Sequence, residues 1–262
     1  MNSLAARRAA GILLVIVPLG FAVCFTLLQQ LFEYPDILRQ PTGDVLTKFV
    51  AGGSPLVAVW YVLTLTAVAF IPLTLLVHRV LAERPRPASV GDSQPMRGDA
   101  PVLLWVATTF GLIAGVAQTL GFLRWPFLVP HLAQSYLAAG ASEAQRAAAA
   151  MVFEAFHRYA GMAVGEHLGY LSTSLWTVLV AVVILRTGIL PRWIGASGAL
   201  LALGIAAGLG EPAGWELGGT INTFSYLVWA VWLIAFGVTL LVRGVRPVLA
   251  APAPLLTPSA AR

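Results

Sequence analysis

Charge is scarce in this chain. Asp, Glu, Lys and Arg make up 10% of its 262 residues, against about 25% in an average soluble domain. That shortage excludes a soluble globular enzyme and a charge-rich disordered chain. Cysteine is nearly missing. Cys24 stands alone, so an intrachain disulfide and a cysteine-ligated metal cluster are both excluded. Lysine is equally rare. Lys48 precedes the second apolar run, and no apolar run offers a lysine for a retinal Schiff base. There is no phosphate-cradling glycine loop and no His-Glu-x-x-His spacing. Ser172, Thr173 and Ser174 have no base close in sequence and form no nucleophile motif.

Apolar residues fill the space that charge leaves. They make up 58% of the chain, and the mean hydropathy is +0.83. A spanning helix needs about 20 mostly apolar residues, because the hydrocarbon core is about 30 Å thick. Six stretches qualify: Ala10 to Leu31, Leu56 to Val77, Pro101 to Leu123, Ala160 to Leu185, Trp193 to Leu209 and Thr223 to Val242. The expected fold is all-α, a polytopic bundle of about six spans with an extracytoplasmic helix before the fourth. The first run follows Arg7 and Arg8 as a signal peptide would, but it exceeds the 7–15 residues of a signal h-region. It reads as an uncleaved helix.

The basic residues set the orientation. Six spans put both termini on one side. That side holds Arg7, Arg8, Arg79, Arg84, Arg86, Arg97, Arg186, Arg192, Arg243, Arg246 and Arg262. The other side holds Arg39, Lys48, Arg124, Arg146 and Arg158. The positive-inside rule then predicts cytoplasmic termini for a chain expected in the cytoplasmic membrane. The net charge of +5 follows from topology and implies no nucleic-acid partner. The lipid bilayer is the expected partner.

Local signals divide the chain. Residues 1–81 hold the first two spans, with Ser54-Pro55 as N-cap and first turn of the second. Residues 82–100 are rich in Pro, Ser and charge, and read as a flexible cytoplasmic linker. Residues 101–246 carry four spans, and 247–262 read as a disordered tail. Ser142-Glu143-Ala144-Gln145 is a capping box opening an outer helix over 143–158. Unbroken to Leu185, that helix would be about 65 Å long at 1.5 Å per residue, twice the hydrocarbon thickness. A bend is expected near Gly161 or Gly165, or a helix lying along the surface. The spacing-by-four series Gly198, Ala202, Ala206, Gly210 and the pair Gly111, Gly115 predict close helix packing. Intrachain contact is the plainer use, and a homo-oligomer face the other.

Ionisable residues at membrane depth are costly and usually face the bundle interior or a water-filled cavity. The candidates for ligand binding are Arg124, His131, Glu154, His157, Arg158, Glu166 and His167, all on the outer side. Glu166 and His167 sit inside the fourth span. About 100° apart on a helix, they can line one cavity but not grip one atom. Glu166 reads as a proton carrier, a cation site or a partner of Arg124. His167 reads as a metal, haem or proton group, or as a histidine bonded to a neighbouring carbonyl. Glu154 and Arg158 have the spacing of an intrahelical ion pair. His78 reads as a solvated interface residue. Gln118, Asn222 and Tyr226 read as interhelical hydrogen-bonding groups. Trp125, Trp193 and Trp215 suit interface belts.

Three pieces carry a resemblance. They are Phe122-Leu123-Arg124-Trp125-Pro126-Phe127-Leu128-Val129-Pro130-His131-Leu132; Phe153 to Tyr159 with Gly165 to Tyr170; and Leu190-Pro191-Arg192-Trp193-Ile194-Gly195. Together they resemble the bacterial integral membrane proteins grouped as domain of unknown function 4386. The resemblance implies a six- or seven-helix bundle and no particular activity, substrate or cofactor. Three readings stay open. One is binding or transport of a small polar or amphipathic ligand at an outward-facing cavity. Another is a redox or metal enzyme using His131, His157 or His167. The third is an accessory or regulatory protein with structural polar contacts only.

Overall fold

The computed structural model describes residues 3–82 and 99–243. The anticipated linker falls largely on 83–98 and the anticipated tail on 247–262, both outside the described residues. All regular structure among the described residues is helical. The helices are α1 (Ser3–Phe32), α2 (Thr42–Ala82), α3 (Ala100–Phe127), α4 (Val129–Leu137), α5 (Glu143–Phe156), α6 (Gly169–Thr187), α7 (Arg192–Ala206) and α8 (Glu216–Arg243). A π-helical segment, His157–Leu168, joins α5 to α6, and a 3₁₀ segment, Ala207–Ala213, follows α7. Six continuous helical stretches are long and apolar enough to cross a membrane. They coincide with the six anticipated runs, extended at their ends.

Sequence chemistry explains the breaks. Within α2 the axis kinks at Gly53, whose φ of 55° and ψ of −154° suit a residue without a β-carbon. Pro55 follows, without an amide to donate. The kink divides α2 into two helical parts, and Ser54-Pro55 opens the second of them, the start anticipated for the second span. Pro126 and Pro130 flank Leu128, where α3 gives way to α4. Ser142 and Gln145 form the reciprocal capping box at the start of α5. Gly188, at φ 64°, ends α6 in a left-handed conformation.

The spans close a ring in chain order: α1 packs on α2, α2 on α3, α3 on α6, α6 on α7, α7 on α8, and α8 on α1. The closing contact rests on two glycines. A β-carbon on Gly237 would stand 2.7 Å from the Gly11 carbonyl oxygen. Gly111 makes room for Trp176 and Thr74, Gly115 for Ile71, and Gly198 for Trp232. These small residues let backbones approach within the chain, as lipid-embedded helices require. Outward faces stay apolar and open: only 33% of the most apolar window of the first, fifth and sixth stretches is buried. The remainder is placed to meet lipid.

Two apolar clusters occupy the ring. The first, toward the termini, gathers Phe70, Trp176, Trp229, Trp232 and Phe236. Trp229 donates its indole N–H to Thr177 Oγ1 at 2.9 Å, and Trp232 donates to the Ile194 carbonyl at 2.9 Å. The second lies at the opposite, distal end and gathers Phe32, Phe49, Trp60, Trp125 and Phe153. Trp125 is fully buried there and stacks on Trp60 at 4.6 Å with planes 10° apart. It is a core residue, not an interface anchor. Trp193 and Trp215 are exposed, as an interface belt requires. His78, on α2, is held rather than free. Its Nδ1 lies 2.7 Å from Thr108 Oγ1, and its ring packs 4.3 Å from Trp105.

Candidate functional site

Polar groups lie between the two clusters. Along α3, Ala114 belongs to the first cluster and Trp125 to the second. Gln118 and Arg124 fall between or beside them. Gln118 donates to Thr173 Oγ1 on α6 at 3.2 Å. Asn222 on α8 donates to the Ile205 carbonyl on α7 at 2.6 Å. The Tyr226 ring lies 5.6 Å from that of Tyr170. Gly208 admits this arrangement: a β-carbon there would stand 2.6 Å from Asn222 Nδ2 and 2.9 Å from Tyr170 Cδ2.

The charges of the cluster are Arg124 and Glu166, with the exposed Glu211 of the 3₁₀ segment acting on Glu166 from its edge. Arg124 is 9% exposed, the one charged side chain among the buried described residues. Its Nη1 donates to the Gly121 carbonyl one turn back, while its Nε has no partner. The guanidinium also lies 5.2 Å from the Trp125 ring centre, a cation–π distance. Across from it Gly161 leaves the needed space, since a β-carbon there would stand 2.6 Å from Nη2. Glu166 is half-buried and interacts electrostatically with Arg124, without a direct ion pair.

The π segment explains this placement. Hydrogen bonding from i to i+5 widens the helix and turns its side chains relative to an α-helix; such segments are rare and favour functional sites. It covers both Gly161 and Gly165, the positions where a bend is anticipated. Gly165 packs against Gly121 of α3, so the wide turn lies tight on its neighbour. Glu166 thereby joins the interior, whereas His167 is exposed.

The other candidates fall in different places. His131, on α4, is exposed. Arg158 is exposed, and Glu154 does not pair with it. Instead Glu154 accepts a hydrogen bond from Thr42 Oγ1 at 3.1 Å, tying α5 to the start of α2. His157 is half-buried and stacks on Phe153 at 5.8 Å with planes 4° apart. Its Nδ1 is buried without a partner, and the charge of Arg124 acts on its ring. Arg124, Glu166 and His157 are therefore brought together; His131, Arg158 and His167 are not. Among the described residues no group of three or more His, Cys, Asp or Glu is placed to hold a metal ion.

Two members escaped the sequence reading. Tyr34, after α1, lies half-buried against Trp60 at 5.2 Å. Burial and the Glu166 carboxyl push its phenol up to about 12, with Arg124 pulling the other way. It therefore remains a neutral donor at physiological pH. Nothing near Tyr34 in sequence signals this role. Tyr170 stands four residues after Glu166, and that spacing was a usable signal. A separate open groove between α4 and α5 is lined by Leu132, Ser135, Gln145, Ala149 and Val152 among others. It has no ionisable lining group, so the chemistry lies with Arg124 and Glu166.

An apolar ring of six spans with a charged interior cluster defines a multi-pass helical membrane protein. Residues 96–244 match the family described as domain of unknown function DUF4386. That is more than half of the chain, which belongs to this family. The match starts before α3 and takes in the whole π segment, with Arg124 and Glu166. No curated protein and no solved structure matches the chain.

Proposed function

We propose that this protein binds a small polar or amphipathic ligand at the polar cluster of α3, the π segment, α6 and α8, on the side of the membrane opposite both termini. The carrying observation is the placement of Arg124 and Glu166 in the interior of an apolar bundle without direct ion pairing. Charges in such surroundings are costly unless compensated. A structural bundle is served as well by apolar side chains. Tyr34, Tyr170, Tyr226 and Gln118 add neutral hydrogen-bonding groups around the pair, the composition of a site that fixes ligand orientation. The excess of arginine on the terminal side supports cytoplasmic termini, so the cluster opens outward.

The test is thermal unfolding of the purified full chain against a panel of small polar and amphipathic compounds. A stabilising compound is expected, and its effect should shrink in Glu166→Gln and in Tyr170→Phe. Equal stabilisation of both variants and wild type would remove the cluster from the binding site.

A further inference from the structure

Three buried nitrogens at the distal end have no hydrogen-bond partner: Arg124 Nε, His157 Nδ1 and Trp60 Nε1. They share one neighbourhood around Trp125. Arg124 lies over that ring, Trp60 stacks on it, and Phe153 connects it edge-on, at 6.1 Å, to the His157 ring. Buried polar groups in native proteins are almost always satisfied, and each orphan calls for an explanation. Arginine is donor-only, indole nitrogen is donor-only, and an imidazole nitrogen can donate. The missing element is therefore an acceptor, and beside a buried guanidinium an anionic acceptor is favoured. Glu166 does not fill the role by direct contact, and Glu154 is turned toward Thr42.

We infer that the end of α3 and the start of the π segment together bind an acidic group, a carboxylate or phosphate oxygen. Arg124 supplies the charge and His157 a second hydrogen bond. This rests on the binding role proposed above and names the chemistry of one end of the ligand. Gly161 is part of the device, because any side chain there would displace the guanidinium. The acid group can belong to a free anion or to the head of an amphiphile, and the same nitrogens would hold either.

The experiment uses the full chain in a neutral detergent, with unfolding followed by intrinsic tryptophan fluorescence. The probes are inorganic phosphate, decyl phosphate and decanoate, compared with decanol and decyltrimethylammonium. The anionic probes are expected to raise the melting temperature and the neutral and cationic ones not. Arg124→Gln should weaken the anionic probes about tenfold or more, the loss of a charge-assisted hydrogen bond. Arg192→Gln, an exposed arginine at the other end, should respond as wild type. A shift with inorganic phosphate indicates a free anion; a shift confined to the decyl compounds indicates an amphiphile headgroup. Should Arg124→Gln fail to fold, Gly161→Ala and His157→Phe replace it, each expected to weaken the anionic probes severalfold. Absence of any anion-dependent shift, or a shift insensitive to these variants, overturns the inference. Stabilisation by decanol equal to that by decanoate overturns it too, while leaving the broader ligand-binding reading in place. Loss of that reading shows separately, in the Glu166 and Tyr170 variants.

Discussion

Gly121 of α3 and Gly165 of the π segment cross backbone on backbone. A β-carbon on Gly121 would stand 2.8 Å from the Gly165 Cα, and one on Gly165 would stand 3.0 Å from the Gly121 Cα. Neither neighbour is a flexible side chain that can step aside. The contact fixes how closely the wide turn lies on α3, and so where Glu166 stands relative to Arg124.

Gly121→Ala or Gly165→Ala should therefore force the two elements apart. The expected cost is about 1–3 kcal/mol, the range for overpacking a filled interior. The check is the thermal or denaturant midpoint of the purified protein. Gly140→Ala makes a useful contrast. A β-carbon there meets nothing within 4 Å, but its φ of 84° is strained for any other residue. A smaller loss, from backbone strain alone, is expected.

Trp60 and Trp125 form the centre of the distal cluster, and both are fully buried. Truncating either to Ala should cost about 3–5 kcal/mol, as for other large core aromatics. Phe at position 125 should recover most of that, because the stack on Trp60 keeps a ring partner. An unfolding series on the three variants decides this. A Trp125→Ala protein as stable as wild type would return Trp125 to the interface role its sequence position implies.

Asn222 provides a test of how much a buried polar bond contributes within the bundle. Its amide donates to the Ile205 carbonyl near the end of α7. Interhelical hydrogen bonds in membranes average only about 0.6 kcal/mol. Asn222→Leu should then lose little through the bond itself. The branched side chain must also fit where Gly208 packs on Asn222. A total loss of about 1–2 kcal/mol is expected, smaller than either tryptophan truncation.

Tyr34 gives a pH signature. Its phenol is held at about 12 from an ordinary 10.0, so the folded chain binds that proton more tightly than the unfolded chain. The stabilising contribution is whole below pH 10 and is lost as pH rises through about 12. Melting temperatures of wild type should fall more steeply over that window than those of Tyr34→Phe. Parallel curves would detach Tyr34 from the cluster.

Orientation can be read with cysteine chemistry, because Cys24 is buried and the chain has no other cysteine. Ala139→Cys, in the exposed turn between α4 and α5, should react with a membrane-impermeant maleimide on intact cells. The wild type should remain unlabelled. Protection of position 139 until the membrane is opened would reverse the proposed orientation.

The membrane class, the six apolar stretches, the arginine imbalance and the capping box at Ser142 are all legible in the order of residues. Each is a sum or a short-range pattern: hydropathy adds residue by residue, and a cap involves groups three positions apart. It also drew attention to Arg124, His157 and Glu166. Which ionisable residues meet depends instead on how distant helices pack. Glu166 faces inward and His167 outward where the π segment packs on α3 through Gly121 and Gly165. Glu154 abandons Arg158 for Thr42, a partner more than a hundred residues away in sequence. Tyr34 enters from a loop, and Trp125 moves from an expected interface belt into a core. In each case the deciding interaction is a contact between distant elements, and local sequence energetics carry no information about which surfaces will be brought together.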